Sequence, residues 1–321
     1  MRLNYQFQLI QAIRNFFIQE GFIDVLTPPM VENPGMETHI HPFQVKSKYR
    51  QKDLELYLHT SPEFHMKELL SMTEENLDKI FTMSYVFRDE PDSEIHRKQF
   101  IMLEWYRKNA HYTQVMQDVE ALIHFCIQDI SQKQLPLKKE FKNFEAKSVT
   151  VQDLFFEYCD FDILDFNEPK ELEQKLRLDF KQVPVPESSL IYEDSFFLLF
   201  LNLIEPHFKN FPYLLVKEFP APLAALSTLK ESDPRVCERF EVYLHGIELC
   251  NCFNELTNLA EQKKRFNFQA NQKKEIYGYS LNEPNVLYDS LSRGLPSSAG
   301  IALGVERLFF SLLDINNAFY K

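Results

Sequence analysis

Two arginines far apart in the chain, Arg88 and Arg307, each flank an apolar run that reads as a strand. A guanidinium fork holds phosphate through two parallel hydrogen bonds, where a lysine acts only as a point charge. Two acids, Glu248 and Glu255, bracket another strand end. With this odd spacing in an unbroken strand they face opposite sides. They can cooperate only if the strand ends or bends near 251–254, where the sequence turns polar. Convergent there, they could hold Mg²⁺, which normally takes one or two carboxylates plus substrate phosphates. Gly304 permits a close backbone approach beside Arg307. Taken singly, each has a plain alternative: Arg88 paired with Glu90 in a solvated loop, Glu248 a strand-edge charge, Arg307 an exposed helix residue. Taken together, two arginines, two acids and a glycine turn are the parts that a nucleoside triphosphate–Mg²⁺ site requires. Neither a Walker-type loop nor Gly-x-Gly-x-x-Gly occurs, which disfavours P-loop and Rossmann sites.

The elements that must position these groups are legible on either side of them. Arg88 opens a charged stretch, 88–98, that also holds Asp89, Glu90, Asp92, Glu94, His96, Arg97 and Lys98. It separates the apolar runs 80–87 and 100–106, which predicts a hairpin whose return strand carries the only tryptophan, Trp105. Upstream, residues 4–20 place Phe7, Ile10, Ile13 and Phe17 at helical spacing, with Gly21 as the stop. "FIDVLTPPM" predicts a strand ended by Pro28-Pro29. "LYLHTSPEFHMKELLSM" predicts strand, turn and helix, with Ser61 or Thr60 as the cap and Glu63 in the first turn. An amphipathic helix is expected over 112–131 through Val115, Val119, Leu122, Cys126 and Ile130. Residues 135–218 are Phe-rich, less regular, and hold no chemical motif. "RFEVYLHGIELCNCFNEL" predicts a second hairpin turning at His245-Gly246. A polar helix follows from about 257 to 275, and "AGIALGVERLFFSLL" reads as strand, glycine turn and helix. Pairing through hairpins rather than βαβ crossovers predicts an α+β fold, an antiparallel β-sheet flanked by helices.

Composition narrows the classes. The chain has 321 residues, 45% of them apolar and 14% aromatic, which suits a packed core and excludes disorder. Its length fits one large domain or two ordinary ones. A net charge of −12 disfavours a broad electrostatic grip on nucleic acid, although a local basic groove remains compatible with it. Five cysteines in no dense pattern, with no secretory leader, predict reduced thiols and a cytoplasmic location. Cys250-x-Cys252 and His39-x-His41 are half-motifs for zinc without a second pair, and read as structural residues. The apolar run 196–204 is too short to span a bilayer and predicts a buried helix, so no membrane partner is expected.

With these residues placed, the chain resembles the class II aminoacyl-tRNA synthetases. "GFIDVLTPPM" is similar to motif 1, "FRDE…H…QFIMLEWYR" to motif 2 and "GIALGVERL" to motif 3. "TSPEFHMKELL", "RFEVYLHGIELCNCFNELT" and "THIHPF" narrow the likeness to the lysyl branch. The resemblance covers nearly all of residues 1–321 as a single class II synthetase-like catalytic domain, with no anticodon-binding domain ahead of it. Within that branch the chain resembles the elongation factor P–(R)-β-lysine ligase family. Ala302 in "GIALG" supports this, since lysyl-tRNA synthetases usually carry glycine there. "FPAPLAALSTL" and "MLEWYR" point the same way.

The resemblance implies an ATP- and Mg²⁺-dependent, AMP-forming ligase that activates (R)-β-lysine and transfers it to a lysine of elongation factor P. It implies a homodimer and no tRNA substrate. Arg88 would hold the α-phosphate and Arg307 the γ-phosphate, as the catalytic pair. Glu90 and Arg97 would border adenine, and Glu248, Leu249 and Gly304 would line the ATP site. Glu248 and Glu255 would carry Mg²⁺. Ser61, Pro62, Glu63, Tyr106, Glu255 and Ala302 would form the amino-acid pocket. The family's usual "HNPEF" is "HRKQF" here, "NGF" is "NCF" at Cys252, and "VDR" is "VER" at Glu306. Two rival readings stand beside this one: a truncated lysyl-tRNA synthetase acting on tRNA, and a non-catalytic binding paralogue.

Overall fold

The structure, a computed structural model, describes residues 2–49, 52–91, 93, 96–141 and 144–314. The chain divides into two compact units, Met1–Pro136 with Glu255–Lys321, and Leu137–Asn254.

In the first unit the strands run in the order Ile23–Asp24, Lys79–Phe87, Gln99–Lys108, Ser298–Gly304. Lys79–Phe87 and Gln99–Lys108 form the expected antiparallel hairpin, with the turn falling on residues 88–98. Asp92 and Glu94 of that charged stretch lie outside the described residues. Ser298–Gly304 pairs antiparallel on the far side of Gln99–Lys108, setting Gly300 opposite Tyr106 and Ala302 opposite Glu104. Because strand side chains alternate, Trp105 faces away from these two. It is fully buried, lies 5.0 Å from the Phe17 ring and donates from Nε1 to Asp118 Oδ2 at 3.2 Å. Asp118 belongs to the helix Tyr112–Gln132, whose buried stripe of Val115, Val119, Leu122, Cys126 and Ile130 is the expected one.

Three local expectations are corrected. Phe7 is about half exposed; the helix Arg2–Gln19 buries Leu9, Ala12, Ile13, Phe16 and Phe17, a wider i, i+3/i+4 stripe that includes only part of the expected face. "FIDVLTPPM" is not one strand. Ile23–Asp24 pairs parallel with Ile80 and Phe81, and Met30–Val31 joins a separate small sheet with Lys52–Leu58 and Gln44–Ser47. Pro28 and Pro29, lacking N–H groups, separate them. The helix Glu63–Ser71 is capped by Pro62 without a side-chain bond; Thr60 instead donates to Pro34 O at 2.6 Å.

In the second unit the strand order is Ile247–Asn254, Arg239–Leu244, Tyr213–Lys217, Ala146–Thr150, the last pair parallel. The hairpin turns where expected: His245 and Gly246 both have positive φ, +49° and +76°, as a two-residue type I′ turn requires. The Phe-rich stretch builds this unit's core, where Phe155, Phe196, Phe200, Phe208 and Phe219 are buried. The run 196–204 is helical, passing from Tyr192–Leu199 into a π-helical segment Phe200–Ile204. All five cysteines are buried thiols outside any disulfide. Among the described residues no helix is long and apolar enough to cross a membrane.

Candidate active site

The face of the first unit's sheet opposite Trp105 carries Glu104 and Tyr106 on one strand and Gly300 and Ala302 on the next. The helix Glu63–Ser71 brings Glu63 and Lys67 to them, and Glu255 follows the strand Ile247–Asn254 in the chain. Lys67 Nζ lies 2.7 Å from Glu63 Oε1 and 2.6 Å from Glu255 Oε2. Tyr106 donates its hydroxyl to Glu104 Oε2 at 3.2 Å. Lys67, Glu104, Glu255 and Tyr106 are 1%, 1%, 2% and 3% exposed, so these charges are taken out of water almost completely.

Three carboxylates therefore share one ammonium. Glu104 Oε1 and Glu255 Oε1 have no hydrogen-bond partner among the described residues. Burial drives the Glu104 carboxyl well above its ordinary pKa, and Glu63 pushes it further, against Tyr106 and Lys67. Burial likewise lifts Glu255 to about 7, opposed chiefly by Lys67. For Lys67 burial opposes the charge, but Glu255 and Glu63 outweigh it and hold the amine protonated. The arrangement is a closed pocket with an excess of acid, suited to a ligand carrying ammonium groups.

Gly300 makes room for two of these side chains: a Cβ there would fall on the Tyr106 ring and within 2.5 Å of Glu255 Oε1. Ser61 and Pro62 lead into the helix, and Ser61 Oγ accepts from Glu63 N at 3.4 Å. Lys67, Glu104 and Gly300 were not singled out in the sequence. The signals were present: Lys67 sits i+4 from Glu63, and Glu104 is two residues from Tyr106 on the same strand face.

A second group gathers at the mouth of the 88–98 turn. Arg88 N donates to Lys98 O at 3.0 Å, and the Arg88 guanidinium lies 5.4 Å from the Phe100 ring and donates from Nε to Thr60 O at 3.4 Å. Arg307 stands in the first turn of Val305–Leu312, after Gly304, and its Nη2 lies 3.3 Å from His96 Nε2 of the same turn. Gly304 serves Arg307 directly, since a Cβ there would come within 3.3 Å of its side chain. Both guanidiniums thus belong to one hairpin mouth. Glu306 anchors this geometry by accepting from Ile101 N through both oxygens, at 2.9 and 3.0 Å. Arg97 and Glu90 are both half-buried, and Arg97 exerts its charge on Glu306.

Glu248 and Leu249 lie in the second unit on Ile247–Asn254. The strand ends at Asn254, within the expected 251–254, and it also carries a bulge: the ladder shifts between Val242 and Tyr243, which oppose Cys250 and Glu248, leaving Leu249 as the extra residue. The carboxylate that feels Glu248 is Glu241, whose pKa rises mainly through burial and then through this neighbour. Glu241 already faces the Arg239 guanidinium at 2.6 Å and accepts from the Tyr243 hydroxyl at 2.6 Å, and Glu255 already faces the Lys67 ammonium at 2.6 Å, so each of these carboxylates has its own cation. Cys250 and Cys252 are buried, and His39 and His41 contact the hydroxyls of Tyr277 and Tyr279 at 2.8 and 2.6 Å.

A hairpin with paired guanidiniums, a glycine-led strand-to-helix return and an antiparallel-dominated sheet are the features of a class II synthetase, and the family model for class II tRNA synthetases (D, K and N) matches residues 1–318. Among curated proteins the chain is 33% identical over 317 residues to an elongation factor P–(R)-β-lysine ligase of Proteus mirabilis, covering 96% of this chain and 90% of the relative. A ligase of the same name from Histophilus somni is 35% identical over 315 residues, 97% and 90% of the two chains. One from Salmonella typhi is 34% identical over 305 residues, 94% and 87%. The chain belongs to the class II tRNA synthetase family, in the branch of these ligases.

Proposed function

We propose that the chain is an ATP-dependent, AMP-forming ligase that activates (R)-β-lysine and passes it to a lysine side chain of elongation factor P. The observation that carries this reading is the acid excess of the buried pocket: Glu63, Glu104 and Glu255 against Lys67 alone. A diamino acid supplies the missing positive charge, with its far ammonium among Glu104, Tyr106 and Glu255. Ala302, cross-strand from Glu104, narrows the pocket floor. Ser61 and Pro62 set the helix that carries Glu63.

ATP is a substrate in this scheme. Its α-phosphate lies on Arg88, its γ-phosphate on Arg307, and its adenine near Glu90 and Arg97, with Gly304 lining the site. The substrate carboxylate attacks the α-phosphorus, the bond to the β-phosphate oxygen breaks, and pyrophosphate leaves. The neutral amine of the acceptor lysine then attacks the acyl carbon, loses a proton, and expels AMP. Positioned positive charge stabilises the in-line transition state, so no enzyme nucleophile is needed. Bound Mg²⁺ would neutralise phosphate charge. In this reading Glu255 serves the amino acid rather than the ion. Residues 1–321 act as one catalytic domain, working as a homodimer in the cytoplasm without tRNA.

Mass spectrometry of elongation factor P incubated with the chain, ATP and each lysine isomer tests this. A gain of one lysyl residue, greatest with (R)-β-lysine, is expected. Charging of tRNA with α-lysine and no change in elongation factor P would overturn it.

A further inference from the structure

Glu37 belongs to none of the synthetase motifs. It lies on the extended segment between Met30–Val31 and Gln44–Ser47. The chain turns there at Gly35, whose N–H donates to Asn33 Oδ1 at 3.0 Å and whose φ is +147°. A Cβ on Gly35 would come within 2.6 Å of Glu37 Oε2 and 3.1 Å of Thr60 Oγ1, so the carboxylate nests against bare backbone beside Thr60. Thr60 is itself a junction. Its hydroxyl holds Pro34 O, its carbonyl accepts from Arg88 Nε, and it leads through Ser61 and Pro62 into Glu63.

Glu37 Oε2 is shut off from solvent and has no hydrogen-bond partner among the described residues. Burial raises its pKa, then the Glu63 carboxylate does; its own backbone, Arg88 and Lys273 pull the other way. Arg88 and the buried Lys273 act on this carboxylate, but neither gives Oε2 a hydrogen bond, so that closed-in oxygen is left to accept from a ligand's ammonium. Arg88 marks the end where the substrate carboxyl group meets the α-phosphorus, and the acid pocket marks the far end. The Glu37 carboxylate packs at Gly35 beside Thr60, the residue that takes Arg88 on its carbonyl and runs three residues on to Glu63 of the acid pocket, so it adjoins the segment that joins the two ends.

We propose that Glu37 receives the ammonium group nearest the reacting carboxyl group and thereby selects the position of that amine on the substrate chain. This assignment rests on the ligase reading above and adds the residue that makes the site selective for the position of the nearer amine. An amine moved by one carbon loses its place on Glu37, and the buried carboxylate is left unpaired, which is how such sites discriminate strongly.

Amino-acid-dependent ATP–pyrophosphate exchange by the full chain provides the test, with wild type, Glu37→Gln and Glu37→Asp. The substrates are (R)-β-lysine, L-α-lysine and 6-aminohexanoic acid, which keeps the carboxyl group and far ammonium but lacks the nearer amine. Glu37→Gln should raise KM for β-lysine by about tenfold or more, while KM for 6-aminohexanoic acid and ATP stays within about twofold. Glu37→Asp should recover part of the β-lysine affinity, and it carries the comparison should the glutamine variant not fold. A uniform rise in KM for all three amino acids, or a fall in kcat alone, makes Glu37 structural and overturns the assignment. So does an unchanged β-lysine KM in a variant of normal activity. A wild-type chain inert with every lysine isomer overturns the ligase reading, and this assignment with it.

Discussion

Lys67 bridges two carboxylates, Glu63 and Glu255, in a space that water barely reaches. Removing one partner of a buried ion pair leaves the other uncompensated. Lys67→Met should therefore destabilise the chain by about 3–5 kcal/mol in urea unfolding. Adding Glu255→Gln to it should return part of that loss, because the two sites are in contact and their effects do not add. Gly300 acts through the room it gives the Tyr106 ring and the Glu255 carboxylate. Gly300→Ala forces Tyr106 and Glu255 to move, and kcat/KM for β-lysine should fall about 100-fold. KM for ATP should hold within a few-fold, since Arg88 and Arg307 lie at the hairpin mouth. Of the pocket, Glu63, Tyr106, Glu255 and Ala302 were legible from their motifs. Lys67 and Glu104 were not, because a helical lysine and a strand glutamate look like surface charges until the fold encloses them. Glu37 was hidden for the same reason: only the turn at Gly35 brings it to Thr60.

At the scale of elements, Glu306 joins the helix Val305–Leu312 to the strand Gln99–Lys108 through the Ile101 N–H. Burial lifts its pKa from an ordinary 4.5 to about 7, against that hydrogen bond and Arg97. An acid that binds its proton more tightly when folded contributes stability that is full below about pH 4.5 and lost as pH rises through about 7. Glu306→Gln keeps an acceptor for Ile101 N without the titration. Urea unfolding at pH 5 and pH 8 should show a smaller loss for the variant than for wild type. In the second unit, Gly246→Ala should cost about 1–2 kcal/mol, since φ is +76° and the added Cβ meets Lys209 N at 3.1 Å. Elements with strong local signals were readable: the 88–98 turn, the His245-Gly246 hairpin and the helix Tyr112–Gln132. Ile23–Asp24 was not, because a two-residue parallel strand is defined by its partner Lys79–Phe87, far along the chain. The bulge at Leu249 left no sequence mark either; periodicity alone cannot report one extra residue.

For the whole molecule, the proposed homodimer has a surface to match. Leu26 is 91% exposed, with Ile23 and Met30 about half exposed in the same segment. Sedimentation equilibrium should give twice 38.2 kDa, and Leu26→Asp should shift the mass toward 38.2 kDa. The cysteines offer a different handle. Cys126 is buried in the first unit, and Cys159, Cys237, Cys250 and Cys252 in the second. Burial raises the pKa of Cys126, Cys159 and Cys250 and so suppresses their reactive thiolates. Alkylating agents consequently find the native chain nearly inert, and every adduct dates an opening event. Peptide mapping after a brief iodoacetamide pulse would give separate clocks for the two halves of the molecule, without a label ever being engineered in.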